Sequence, residues 1–205
     1  SALAIMNGAD PDVREFAGFN DTTFDIVHTG LVYFGRDPRN LFRAVKLFLD
    51  QVVEARAVVR VRFAGGESYA GVSLDTIAEE CGIAEWFSCT AHIPREEALR
   101  LCGSAAVNVL LPQDEPLAIP SKVFEYVQLP VWMLAIAKPD DAVAQLLEDT
   151  TSRAVDPDDI QGMATFFGDR FRAWKRGERP EPMNADGRFD RSRQVDRLLD
   201  AMDAI

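Results

Sequence analysis

Lys122 and Glu125 stand three residues apart in "IPSKVFEY" (119–126), between two apolar runs, "AAVNVLLP" and "VWMLAIA". A cation and a carboxylate at the mouth of a core can grip a ligand that carries both an anion and a diol. Pro120 biases Ile119 toward extended backbone, so a helix is expected to start at Ser121, a good N-cap. A capping box needs an acid three residues on, and that position is Phe124; Glu125 falls one residue late and is not obviously spent on capping. Lys122 then lies in the first turn, where the helix dipole is positive and a cation is misplaced unless an anion sits beside it. Free N–H groups, the dipole and Lys122 together make a phosphate site. Glu125, about one turn further in, could accept hydrogen bonds from a sugar's vicinal hydroxyls. Phosphate on Lys122 and diol on Glu125 describe a nucleotide. The competing reading is a solvated i,i+3 pair, and this stretch alone favours it.

Two further stretches offer chemistry. In "HTGLVYFGRDP", Gly30 can let backbone approach a ligand closely. Arg36, just before an expected helix start, can fork onto phosphate oxygens, or simply pair with Asp37 in a surface turn. His28 reads as a satisfied strand-end histidine. His92 and Ile93, at the end of another apolar run, are placed to flank a base.

The elements that must position these residues alternate. "FDIVHTGLVYF" is a strand, and "PRNLFRAVKLFLDQVVEA" a helix with Leu41, Ala44, Val45, Phe48, Val52 and Val53 on one face. "AVVRVRFAGG" is a strand, "SLDTIAEECG" a helix, "AEWFSCTAHI" a strand and "PREEALRLCG" a helix. "AAVNVLLP" is a nearly continuous apolar strand, as expected when both faces are buried. The helix holding Lys122 follows, then the strand "VWMLAIA", the helix "DDAVAQLLEDT", the short strand "SRAV" and the helix "DPDDIQGMATFFGDRFRAWKRG". A polar link, "ERPEPMNADG", leads to an amphipathic helix, "DRSRQVDRLLDAMD". Alternation of this kind predicts a Rossmann-like α/β/α sandwich with a mainly parallel sheet of about six strands. Ligands of such sheets bind at the carboxyl ends of the strands, near a topological switch point.

Composition narrows the function classes. The 205 residues fit one domain, with 47% hydrophobic and 27% charged residues. A formal net charge of −11 disfavours general binding to nucleic acid or anionic membrane, but leaves room for a small anion where cations converge. Cys81, Cys89 and Cys102 have no CxxC spacing, so free thiols in a reducing compartment are expected rather than disulfides or zinc. No apolar run reaches the roughly 18 residues of a membrane span.

In order and spacing these segments resemble the C-terminal, donor-binding domain of GT-B glycosyltransferases of the retaining, family-four-like group. "HTGLVYFGRDPRNLFRAV" resembles that family's first strand, glycine loop and Gly-Arg element. "VRVRFAGG" and "AHIPREEALRLCGSAAVNVLLP" resemble its central strands. "IPSKVFEYVQLPVWMLAI" resembles its proline-serine-lysine-x-x-glutamate-tyrosine element, and "FDRSRQVDRLLDAM" its closing helix. "IMNGADPDVREF" resembles the segment by which the family's chain enters this domain. The resemblance implies an entry segment over 1–20, a nucleotide-sugar-binding domain over 21–180, and a linker and C-terminal helix over 181–205. It implies that Arg36 and Lys122 hold the diphosphate of a UDP- or GDP-type donor and stabilise it as leaving group without a metal, and that Ser121 is among the residues that bind the donor. Glu125 would hold the ribose, Gly30 would admit the donor phosphates or sugar, and the segment at His92 would border the base. No cofactor beyond the donor substrate is implied. Leu117 stands where many members carry a second glutamate, with Asp114 and Glu115 out of register, and "EPLA" replaces the usual Gly-rich loop.

Hence the expectation is a glycosyltransferase donor domain, a fragment inactive by itself for want of an N-terminal acceptor domain. Its expected location is the cytoplasm, or the membrane periphery through a parent protein. A GT-B-type nucleotide-sugar epimerase would need acid/base groups from a second domain, since this chain offers only His28 and His92. A non-catalytic, receiver-like module would need an acidic cluster after the first strand, where only Asp37 stands.

Overall fold

The computed structural model describes residues 5–18, 20–33, 35–112, 116–117 and 119–203. Eight strands and seven α-helices alternate along them: β1 Phe24–Thr29, α1 Arg39–Gln51, β2 Val59–Ala64, β3 Ser68–Tyr69, β4 Val72–Ser73, α2 Leu74–Glu80, β5 Phe87–Thr90, α3 Arg95–Ser104, β6 Val107–Leu110, α4 Val123–Tyr126, β7 Trp132–Ile136, α5 Ala142–Leu147, β8 Arg153–Val155, α6 Ile160–Lys175 and α7 Arg191–Asp203.

Six strands form one sheet in the order β5-β2-β1-β6-β7-β8, and every pairing in it is parallel. Numbered by themselves, the six run 3-2-1-4-5-6, a doubly wound Rossmann-like order with its switch point between β1 and β6. The two central strands separate early. β1 follows β2 over its whole length, but its ladder with β6 covers only Ile26↔Val107 and Val27↔Asn108. Beyond Val27, the ring of His28 bonds the Val109 carbonyl in place of a backbone ladder. A crevice therefore opens at the carboxyl end of the sheet, between β1 and β6.

Strands β1, β6 and β7 are buried along their full lengths, which explains the unbroken apolar run of β7 and the mainly apolar character of β6, while β1 also buries Asp25, His28 and Thr29. On one sheet face α1 and α6 enclose an aromatic cluster, with Phe24 edge-on to Phe171 at 5.5 Å and Phe171 stacked on Trp174 at 5.8 Å. Emptying a site of this kind, as in Phe24→Ala, costs about 3–5 kcal/mol. The second core holds Val27, Leu99, Val123, Tyr126 and Met133.

Several boundaries differ from those expected. β1 stops at Thr29 rather than running to residue 34, because Gly30 turns the chain with φ +126°. α1 gives way to a 3₁₀ turn, Val53–Ala57. A small hairpin, β3–β4, turning through Ala70 (φ 50°) and Gly71 (φ 81°), stands before α2 where no strands were expected. α7 exposes Val195, Leu198, Leu199 and Met202, so its apolar stripe covers no core of the described chain. Its start is fixed by backbone bonds of Ala9 to Phe189 and of Arg191 to Ala9.

Candidate functional site

Four strand ends meet around the crevice. β1 delivers Gly30, β2 Gly65, β5 the segment His92–Arg95, and the chain leaving β6 delivers Ser121, Lys122 and Glu125. Together they wall a cavity of about 460 Å³. Gly30 and Gly65 are close-packed: a Cβ on Gly65, itself at φ +115°, would lie 3.0 Å from the Gly30 Cα. A side chain at position 65 would be crowded against that backbone and strained at this φ, so the two strand ends approach as bare backbone.

The space beside Gly30 is taken by Lys122. Its Nζ donates a hydrogen bond to the Thr29 carbonyl, and a Cβ on Gly30 would collide with it. The glycine thus leaves room for the lysine side chain. Burial pulls the Lys122 pKa below its ordinary 10.5; Cys102 and Glu125 oppose the shift and Arg36 adds to it. The Thr29 hydroxyl, meanwhile, lies 2.9 Å from the Tyr126 hydroxyl and 3.7 Å from the Cys102 thiol. This buried knot ties the end of β1 to the turn that carries Lys122. Burial raises the Tyr126 pKa well above its ordinary value and pushes the Cys102 thiol up to about 11, so neither supplies an anionic nucleophile near neutral pH.

The helix around Lys122 is not the one expected. α4 has four residues, its N-cap is Lys122 rather than Ser121, and no side chain caps it. The N–H groups of Val123, Phe124 and Glu125 already donate to Pro120, Ser121 and Lys122 carbonyls. A single turn with its N–H groups engaged is a weak anion site by itself. Any attraction for phosphate rests on the lysine.

Glu125 follows on the same wall. Its Oε1 accepts from Arg95 Nε at 3.2 Å, and Arg95 also meets Asp12 at 3.4 Å. Arg95 was not singled out in the sequence. The signal that could have found it is the one that marked Lys122: a cation as the first residue of a helix, against the dipole, ahead of Glu96 and Glu97.

A second cavity, of about 370 Å³, adjoins the first across Gly30, Ser121 and Lys122. Arg36 lies here rather than in the larger cavity, its guanidinium 4.0 Å from the centre of the Tyr33 ring. Asp37 pairs with Arg39 at 3.2 Å. His28 lines this cavity too. Its ring, buried beside Phe63, bonds the Val109 carbonyl through Nδ1 at 3.0 Å, and Nε2 has no partner. Burial lowers the His28 pKa to about 4, with Lys122 and Arg36 adding to the shift.

Of the residues expected to form a site, Gly30, His92, Ser121, Lys122 and Glu125 share the larger cavity, and Arg36 stands in its neighbour. Leu117 is 92% exposed. Asp114 and Glu115 fall outside the described residues. Among the described residues, no group of three or more His, Cys, Asp or Glu could hold a metal ion, and no helix is long and apolar enough to cross a membrane. Chemically, the adjoining cavities offer the cations Lys122, Arg36 and Arg95 and the carboxylate of Glu125.

Comparison with known proteins bears on the fold. No protein-family model matches the sequence, and no curated protein matches it. Solved structures do. A glycosyltransferase from Rickettsia africae superposes with a TM-score of 0.71 at 12% identity, over 97% of this chain and 56% of its own. Anabaena Alr3699/HepE, solved in complex with UDP, gives 0.71 at 14%, over 98% and 57%. The Escherichia coli trehalose-6-phosphate structure bound with UDP-2-fluoro glucose gives 0.66 at 13%, over 97% and 51%. The fold is therefore that of a GT-B glycosyltransferase domain, an α/β Rossmann-like sandwich. The chain spans little more than half the length of these structures.

Proposed function

We propose that this chain binds the nucleoside-diphosphate sugar of a glycosyltransferase and supports transfer of the sugar to an acceptor. The observation that carries this reading is that Lys122 and Glu125 open into one cavity, at the switch point between β1 and β6. Ligands of doubly wound sheets bind at that crevice. Two of the similar structures hold UDP or a UDP-sugar, which supports a nucleotide-sugar as the ligand.

In this reading the diphosphate lies across the Gly30 turn, between Lys122 and Arg36. Both cations are in place before the reaction, so negative charge developing on the departing diphosphate meets fixed positive charge in a partly buried setting. No metal is required for that role. Glu125 accepts from the ribose hydroxyls, and the His92–Ile93 segment borders the base. The donor is of the UDP or GDP kind and the transferred group a hexose. The acceptor would be held by a further domain of the same protein, since the similar structures carry almost as much chain again.

The test is calorimetric titration of the protein with UDP, GDP, ADP and dTDP. The expected result is saturable binding of at least one diphosphate, stronger than that of its nucleoside. Absence of binding by all of them at millimolar concentration overturns the reading.

A further inference from the structure

We propose that Arg95 is a positioning residue that sets the ligand's sugar specificity: it holds the Glu125 carboxylate so that the site prefers ribose over 2′-deoxyribose. This rests on the reading of the cavity as a nucleoside-diphosphate site.

Three features of the geometry point to it. Arg95 is the first residue of α3, where the helix dipole disfavours a cation, and it stands there between two carboxylates. Its guanidinium bridges Glu125 on α4 and Asp12 in the 3₁₀ turn Pro11–Phe16, so it is itself held from outside the cavity. Arg95 also lines the same cavity as Glu125 and Lys122. As an exposed ion pair, with side chains 55% and 29% accessible, the contact adds little to folding. Its consequence lies in where it leaves the carboxylate.

The bond from Arg95 Nε ends on Oε1 of Glu125. An ionised carboxylate offers about four lone-pair directions, so the pair with Arg95 leaves capacity for two hydroxyl donors. Glu125 sits on a helix of a single turn, which does little to fix its rotamers. Anchoring one oxygen removes that freedom before the ligand arrives, and preorganisation of this kind strengthens the bonds made afterwards. A ribose supplies two donors to a carboxylate so held; a 2′-deoxyribose supplies one and leaves an acceptor unmatched. The preference therefore belongs to the Arg95–Glu125 pair rather than to Glu125 alone.

The experiment measures affinities for paired ribo- and 2′-deoxyribonucleoside diphosphates of uracil, guanine and adenine. The proteins are the unmodified chain, Arg95→Ala, Asp12→Asn, Glu125→Ala and Arg95→Ala/Glu125→Ala. A ribose preference of about tenfold is expected in the unmodified chain, falling to about twofold or less in Arg95→Ala. Asp12→Asn, which loosens Arg95 without touching the cavity, should give an intermediate ratio. Arg95→Ala should change the ratio no further once Glu125 is alanine. Equal weakening of ribo and deoxy ligands in Arg95→Ala overturns the proposal, since a structural or phosphate-binding arginine would behave so. A ratio unmoved in both Arg95→Ala and Asp12→Asn also overturns it. Tight binding with no ribose preference in the unmodified chain removes the role of Glu125 and this inference together. Absence of any diphosphate binding removes the proposed function itself.

Discussion

Nζ of Lys122 occupies the space that a side chain at position 30 would fill, and it is held there by the carbonyl of Thr29, the residue before Gly30. One relationship thus joins two segments that are 92 positions apart in sequence (122 − 30). The glycine is needed for its φ of +126°, which ends β1, and for the room it leaves to the lysine.

Gly30→Ala should therefore act twice. The backbone strain is expected to cost about 1–3 kcal/mol of stability. The new methyl group should also push Lys122 away from Thr29 and weaken diphosphate binding beyond what the lost stability explains. Urea unfolding together with calorimetry separates the two effects. Unchanged diphosphate affinity in a folded Gly30→Ala protein would show that the position of Lys122 does not matter to the ligand.

Substitutions at Lys122 and Glu125 should differ in kind. Lys122→Ala is expected to reduce affinity for a nucleoside diphosphate and spare the bare nucleoside. Glu125→Ala should reduce both, since both carry the ribose. The loss of a charge-assisted hydrogen bond is about 1.5–3 kcal/mol, tenfold or more in affinity. Titration of each variant with UDP and uridine, or the pair of whichever base binds, decides it. Nucleoside binding that survives Glu125→Ala intact removes the ribose assignment.

The sheet was legible because burial on both faces writes a nearly continuous apolar run at β6 and a continuous one at β7, and because glycines mark the ends of β2 and α2. The end of β1 was not: residues 30–33 keep the β-branched and aromatic character of a strand, and only the backbone angle of Gly30 stops it. The hairpin at 68–73 is too short to leave a period in sequence. The cavity's composition was largely readable, since Gly30, His92, Ser121 and Lys122 lie in the connections after strands and Glu125 in the short helix that follows. Their reasons were less so. Lys122 was expected at the start of a longer helix with free N–H groups, yet α4 is one turn with engaged N–H groups, and the lysine Nζ also donates to the Thr29 carbonyl beside Gly30. Arg95 was missed because its partners, Asp12 and Glu125, are distant in sequence and meet only through the packing of α3.

Diphosphate binding should be independent of divalent metal. Lys122 and Arg36 supply positive charge at the two cavities, and fixed cations can take the place of a bridging ion. Calorimetry in the presence of a strong chelator, and again with added magnesium, should give the same affinity. Binding that disappears with the chelator and returns with magnesium would show that the ligand's charge is met by an ion, and the roles assigned to the two side chains would have to be withdrawn.

His28 should give the fold a measurable acid sensitivity. Its ring is buried, its Nδ1 donates to Val109, and Lys122 and Arg36 are near enough to disfavour a further positive charge. The folded pKa is depressed, from 6.5 to about 4, so the unfolded chain takes up a proton first as pH falls. The stabilisation is complete above 6.5 and is lost progressively as pH drops toward 4. The whole window corresponds to about 3 kcal/mol, of which about 2 kcal/mol should be lost between about pH 7 and about pH 5. His28→Asn keeps an N–H donor for the Val109 carbonyl but cannot titrate. Urea unfolding of both proteins at the two pH values cancels the carboxylates, which titrate alike in each. The unmodified protein should lose about 2 kcal/mol more than His28→Asn over that interval. Equal losses would mean that His28 is protonated in the fold as readily as in water, and that its ring is not sealed against Phe63 and Val109 as the structure has it.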